Sequence, residues 1–175
     1  LEDKLQSEKE YFLLILGGPT KHYDYSESNI INIFNLFNDL ITKNNLQGII
    51  IPSMRTPKTT IDLAKNKLGE KNLVIDTVDK KAYLSALSLA KYIAVTCDST
   101  SMISEAAITG KPIYVAQMNS KRNNERFLKF YSQFKKLGII RNLEDGVDLW
   151  SYNKLDEVNR ISTIIKNKIK ENVTN

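Results

Sequence analysis

Cysteine and histidine are almost missing from this chain: its 175 residues hold one of each, Cys97 and His22. A single cysteine excludes an internal disulfide and a cysteine-rich metal site, and a single histidine argues against a histidine-clustered one. No metal or cofactor is expected. Long apolar runs are missing too, none approaching the roughly 20 residues that a membrane span needs. The chain opens on a charged decapeptide rather than a signal peptide, which predicts a cytoplasmic protein. Internal repeats and low-complexity linkers are absent. The net charge is +5, yet the lysines are scattered and no dense basic block is interleaved with aromatics. Nucleic acid is therefore not an expected partner.

What is present is a core-forming composition. The chain is 42% hydrophobic and of single-domain length. Residues 1–10 read as a polar lead-in, a frayed helix or linker, and 11–175 as one domain. Tyr11-Phe12-Leu13-Leu14-Ile15-Leu16 is too short for a helix and is stopped by Gly17-Gly18-Pro19, which predicts a strand. Further strands are predicted at 48–52, 72–76, 92–97 and 112–116, with a short sixth at 139–141. A helix over 28–43 would bury Ile30, Ile33, Phe34, Phe37, Leu40 and Ile41, with Ser26 or Ser28 as N-cap. The next helix is predicted to start with Pro57 at its first position and to end near Gly69. Others are predicted over 80–91, with Leu84, Leu87 and Ala90 inward, and over 125–137, closed by Gly138. The last has Val158, Ile161, Ile165 and Ile169 as its inward face.

Strict alternation of helices with continuously apolar strands means a parallel sheet covered on both faces. The predicted fold class is α/β: a three-layer, Rossmann-like, doubly wound parallel sheet of about six strands in the order 3-2-1-4-5-6. In that order the first and fourth strands are neighbours, and ligands bind at their carboxyl ends, where the chain reverses direction.

Two segments meet there. One is Asp98-Ser99-Thr100-Ser101-Met102-Ile103-Ser104-Glu105-Ala106-Ala107, which opens a helix on hydroxyls, with Gly110 as its cap. Helix starts carry N–H groups without partners and attract anions. One of Ser99, Thr100 and Ser101 is the N-cap; three hydroxyls exceed what a cap uses. Asp98 would repel a phosphate and is better cast as a cap or as a brace for the first loop. Glu105, four residues after Ser101, either accepts from the adjacent hydroxyls of a ribose or is a surface glutamate paired with Lys111. The other segment, Gly17-Gly18-Pro19-Thr20-Lys21, allows close backbone approach or positive φ. It reads as a phosphate cradle, or more plainly as a turn. It is neither a Walker A loop nor a GxGxxG fingerprint. Arg55 could reach a phosphate bidentately. His22 is the one neutral acid–base group nearby, but a lone histidine is more often structural, and no catalytic residue is assigned. Cys97 reads as a small buried hydrophobe.

Leu14-Ile15-Leu16-Gly17-Gly18-Pro19-Thr20-Lys21-His22-Tyr23, Arg55-Thr56-Pro57, Thr96-Cys97-Asp98-Ser99-Thr100-Ser101 through Glu105-Ala106, and Thr109-Gly110-Lys111-Pro112-Ile113-Tyr114-Val115 together resemble the mitochondrial-fission (elongated-mitochondria) family. Bacterial members of that family carry the label of predicted nucleoside-diphosphate-sugar epimerase. The resemblance implies the C-terminal half of a GT-B glycosyltransferase, a Rossmann-like domain that holds a nucleotide-diphosphate sugar. It also implies a missing N-terminal domain that would supply the general base, so the isolated chain would bind without turnover. The implied donor site comprises Gly17, Gly18, Ser99, Thr100, Ser101 and Glu105, beside the anion candidates Thr20, Lys21 and Arg55. Lys81-Ala82-Tyr83 stands where the family pattern has Asn-Pro-Tyr, which leaves the base open. Two alternatives remain. One is a non-catalytic interaction module, with Lys166, Lys168 and Lys170 meeting a membrane surface peripherally. The other is a GT-B-like nucleotide-sugar epimerase, although the hydride-transfer kind is disfavoured because no GxGxxG loop is found.

Overall fold

The computed structural model describes residues 5–6, 8–121, 124–155 and 157–173. Arg122 and Asn123 of the loop before the fifth helix lie outside the described residues, as do the side chains of Val158 and Lys170. Within that range the sheet has six parallel strands: β1 (Tyr11–Leu16), β2 (Gln47–Pro52), β3 (Leu73–Val74), β4 (Tyr92–Thr96), β5 (Ile113–Ala116) and β6 (Ile140–Asn142), in the order β3-β2-β1-β4-β5-β6. This is the doubly wound order expected from the alternation. The register pairs Leu13 with both Ile49 and Ile93, so β1 lies between β2 and β4 at the centre of the sheet. Phe12 to Leu16 are buried to 1% exposure or less. An all-apolar strand fits there because both faces of the sheet are covered.

The helices are α1 (Glu27–Lys43), α2 (Lys58–Leu68), α3 (Lys80–Leu89), α4 (Thr100–Ala107), α5 (Glu125–Lys136) and α6 (Glu157–Val173). Right-handed crossovers set α1 and α2 on one face of the sheet and α3, α4 and α5 on the other. The predicted inner face of α1, Ile30 through Ile41, is buried. Ser26 takes its N-cap position, but its hydroxyl turns to Asp24 rather than to the helix backbone.

Several expectations need correction. Pro57 is the N-cap residue of α2, with extended ψ of 144°, and Lys58 is the first helical position. β3 is an edge strand with only Leu73 and Val74 in register with β2, and its last bond runs from the Ile75 N–H to the Ile50 carbonyl at 2.9 Å. Leu84 is 53% exposed, whereas Leu87 and Ala90 are buried. On α6, Ile161, Ile165 and Ile169 are 47%, 52% and 58% exposed. Their spacing makes an apolar stripe, but no described element covers it. The lead-in is tied to the sheet: the Gln6 N–H donates to the Gln47 side chain at 2.9 Å, and Glu10 pairs with Lys91 at 2.6 Å. No described helix is long and apolar enough to cross a membrane.

Candidate functional site

The carboxyl ends of β1 and β4 present two loops side by side, as the strand order requires. Asp98, just past β4, is the hub between them. Its side chain is fully buried. Oδ2 accepts from the Gly18 N–H and from Arg55 Nη2, both at 2.9 Å, and Oδ1 accepts from the Thr96 hydroxyl at 2.7 Å. Thr96 Oγ1 in turn accepts from the Gly17 N–H at 2.8 Å. The carboxylate thus braces the first loop. It is held by one cation and two neutral donors, which is what keeps a buried charge affordable.

This arrangement redefines the glycine pair. Gly17 and Gly18 both lie outside the left-handed region, which holds Gly110, Gly138 and Gly146 among the glycines. What glycine supplies here is space. A Cβ on Gly17 would sit 2.1 Å from Asp98 Oδ2, and one on Gly18 would sit 2.1 Å from the Arg55 carbonyl oxygen. Both N–H groups are also committed inside the protein, to Thr96 and Asp98. The Gly17 carbonyl accepts from the Thr56 hydroxyl at 2.6 Å and from Tyr25 Oη at 3.1 Å. Burial pushes the Tyr25 phenol well above its ordinary value, so it stays a donor. Thr20 Oγ1 accepts from the His22 and Tyr23 N–H groups at 3.3 Å, forming the turn. Lys21 is exposed. Arg55 is 44% exposed and spends Nη2 on Asp98.

The open donors are at the start of α4. Ser99 is its N-cap residue, yet no side chain caps the helix. The Ser99 hydroxyl lies 3.2 Å from that of Ser101. The first intrahelical bond runs from Ile103 N to the Ser99 carbonyl. Among the described residues, nothing accepts from the N–H groups of Thr100, Ser101 and Met102. Thr100 is half-buried and Ser101 exposed.

Around this helix start lie two concavities. One, of about 620 Å³, is lined by His22, Thr100, Asn124, Arg126, Phe127 and Phe130 among others. The His22 ring lies tilted against that of Phe127, with centroids 5.2 Å apart, and its Nδ1 is buried without a partner among the described residues. The loops after β1 and β5 are tied together beside it by the Tyr23–Ser120 bridge and by the Lys121 N–H donating to the His22 carbonyl at 2.8 Å. Beneath them the Tyr131 hydroxyl donates to the Cys97 carbonyl. Cys97 is buried, as expected, and desolvation pushes its thiol up to about 12.

The other concavity lies between α3 and α4, with a volume of about 550 Å³. Glu105 lines it and is exposed. Its partner is not Lys111: Glu105 Oε2 accepts from the Tyr83 hydroxyl at 3.0 Å. Lys111 Nζ turns instead to the carbonyls of Leu87 and Ser88 at the end of α3. Tyr83 is the residue that sequence reasoning missed as part of the site. The signal available was the fold itself, since α3 and α4 are consecutive helices on one face of the sheet. Among the described residues, no group of histidine, cysteine or carboxylate side chains could hold a metal ion.

Comparison with known proteins gives this geometry a context. The family described as "Mitochondrial fission ELM1" matches residues 1–169. Over 171 residues the chain is 30% identical to "Uncharacterized protein RP120" of Rickettsia prowazekii (strain Madrid E), covering 94% of this chain and 48% of that protein. Over 122 residues it is 28% identical to "Mitochondrial fission protein ELM1" of Arabidopsis thaliana, covering 67% of this chain and 28% of that protein. The chain therefore spans half the length of these relatives or less. Among solved structures, the UDP-GlcNAc 2-epimerase of Methanocaldococcus jannaschii, in complex with UDP-GlcNAc and UDP, is similar with a TM-score of 0.59 at 19% identity. The match covers 89% of this chain and 46% of that one. At that identity the likeness is one of Rossmann-like fold.

Proposed function

We propose a function for this chain, which belongs to the mitochondrial fission ELM1 family: it is the nucleotide-diphosphate-binding part of a GT-B-type, glycosyltransferase-like protein. The observation that carries this reading is the uncapped start of α4, with the Thr100, Ser101 and Met102 N–H groups open at the reversal between β1 and β4. A diphosphate there would replace the missing cap, and the helix dipole would favour its charge. Ser99, Thr100 and Ser101 would add hydroxyl donors. Lys21 and the exposed part of the Arg55 guanidinium would lie at the rim, where Thr20 shapes the turn. Gly17 and Gly18 would form the wall rather than donate, since their N–H groups are already bonded. Glu105 would accept from the ribose.

In a transfer reaction these groups would stabilise the charge on a departing diphosphate, the electrostatic half of the chemistry. The acceptor and a general base would come from a further domain of the longer protein. Epimerisation of the nucleotide sugar uses the same binding half, and a solved UDP-GlcNAc 2-epimerase with this fold supports keeping it as the alternative. Calorimetry with uridine diphosphate and its sugars, on this chain and on a full-length family member, tests the reading. Micromolar to millimolar binding supports it; no binding of any nucleotide by either protein at millimolar concentration overturns it. Interconversion of free nucleotide sugar by the full-length protein would decide for epimerisation.

A second reading rests on α6. Ile161, Ile165 and Ile169 form an exposed apolar stripe beside Lys166 and Lys168. An interaction module that meets a protein or an anionic membrane surface through this helix would use it. Co-sedimentation with anionic vesicles that is lost on replacing these lysines would support that reading.

A further inference from the structure

The larger concavity, about 620 Å³, has a charge pattern of its own. Thr100 brings the start of α4 to one wall, and α5 supplies most of the other. Arg126, Lys129, Phe130 and Gln133 stand at i, i+3, i+4 and i+7, so they share one face of α5. Phe127 and Phe130 are half-buried and form the floor. Phe127 rests against His22 and Tyr23, each at 5.2 Å, and Phe130 against Phe134 at 4.1 Å. Other cations of this end of the sheet are engaged: Arg55 with Asp98 at 2.9 Å, Lys121 with Asp24 at 3.1 Å and Lys135 with Asn142 at 2.9 Å. Arg126 and Lys129 are exposed, and among the described residues neither has an ion pair or a side-chain hydrogen bond. Glu125 is the one carboxylate on the lining among the described residues. It stands in the first turn of α5, where the helix dipole favours it.

We infer that the sugar of the nucleotide-diphosphate sugar is an acidic one, a uronate, whose carboxylate is held in this concavity by Arg126 and Lys129. The inference rests on the diphosphate reading of the α4 start and adds to it the charge class of the sugar. A neutral sugar would leave both cations facing water. A carboxylate on the ring gives the Arg126 fork a bidentate partner and the Lys129 ammonium a point charge to meet. The C–H faces of the ring would lie on Phe127 and Phe130, and the Asn124 and Gln133 amides would meet its hydroxyls. A volume of about 620 Å³ is in the ordinary range of small-molecule sites and leaves room for a hexose beside the diphosphate. Arg126 and Lys129 would select the donor and take no part in bond breaking.

The test is calorimetry on this chain with three probes: uridine diphosphate, uridine diphosphate glucose and uridine diphosphate glucuronate. The glucuronate compound is expected to bind about fivefold more tightly than the glucose compound, the upper range for an exposed ion pair. Arg126→Gln combined with Lys129→Gln, both at exposed positions, is expected to remove that preference and to leave the other two probes within about twofold. Uridine diphosphate carries about as much charge as the glucuronate compound, so it reports any general effect of lost positive charge. Equal weakening of those two probes by the double variant would give the cations to the diphosphate and overturn the sugar assignment. A preference for glucuronate that survives the double variant would overturn the role of these two residues. Wild-type chain that binds uridine diphosphate but holds the glucose compound as tightly as the glucuronate overturns the inference while the diphosphate site stands. Wild-type chain that binds none of the probes overturns both.

Discussion

Arg55 and Asp98, 43 residues apart in sequence, form an ion pair of 2.9 Å in which the carboxylate is fully buried and the guanidinium 44% exposed. The pair joins the loop after β2 to the end of β4 across the Gly17–Gly18 backbone. Removing a partner of a fully buried pair costs about 3–5 kcal/mol. Arg55→Met is expected to cost less, about 2 kcal/mol, because the arginine is partly solvated and Asp98 keeps the Gly18 N–H and the Thr96 hydroxyl. Asp98→Ala is expected to cost more, about 4 kcal/mol, because two buried donors lose their acceptor. Urea unfolding of both variants checks the order; an Arg55 variant costlier than the Asp98 one would contradict it.

Gly17→Ala should be among the most damaging single-methyl additions in the chain. Its Cβ would meet Asp98 Oδ2 at 2.1 Å, inside a network that cannot shift without breaking three hydrogen bonds. A loss of about 3 kcal/mol is expected. Gly138→Ala offers the contrast. Nothing lies within 4 Å of its Cβ, and the cost is only that of φ +68°, about 1 kcal/mol. Thermal melts of the two variants should differ by several degrees.

Much of this fold was legible because its strands are short, apolar and separated by helices with clear faces. Ile30 through Ile41 declared one side of α1, and the alternation, with right-handed crossovers, pointed to the sheet order. Periodicity says which face of a helix is apolar, not what covers it, and that is why Leu84 and the α6 isoleucines were expected inward and stand exposed. Hydrogen-bond partners are legible only when they are near in sequence or forced by charge. Asp98 could be read as a brace because a carboxylate beside a phosphate is unfavourable. Tyr83 could not be given to Glu105, since the two lie on different helices and Lys111 was the nearer opposite charge.

Alkaline conditions should destabilise the protein. Desolvation raises Cys97 from 9.0 to about 12, and raises Tyr114 and Tyr152 from 10.0 to about 12. A folded pKa above the unfolded one means that between the two values the unfolded chain binds fewer protons. Stability is therefore full below about pH 8.5 and falls as pH rises toward 12, by up to about 1.4 kcal/mol per pH unit for each such group. Urea midpoints at pH 8, 9.5 and 10.5 should decline steadily. A flat profile would show that these groups titrate alike in both states.

Lys111→Met should shorten or loosen α3. The ammonium satisfies carbonyls of Leu87 and Ser88 that have no partner further along the helix. Burial and the neighbouring Lys154 lower its pKa, so its charge is held at some cost. Loss of the C-terminal cap is expected to cost about 1 kcal/mol and to raise amide exchange in the last turn of α3 more than elsewhere. Uniform exchange across all helices would count against this local role.

The direct pairing of β1 with β4 also has a meaning in time. Gly17 finds Thr96 at a separation of 79 residues, with β2, β3 and three helices in between. Contacts that close so long a loop form late, because the chain entropy they remove must be offset by structure already in place. A refolding chain can hold β1-α1-β2 or β4-α4-β5 as local units with neither the buried Asp98 network nor an ordered crevice. Competence to bind would then arrive with the last long-range docking step, and ligand-induced signal during refolding would mark the moment at which the two halves of the sheet become one.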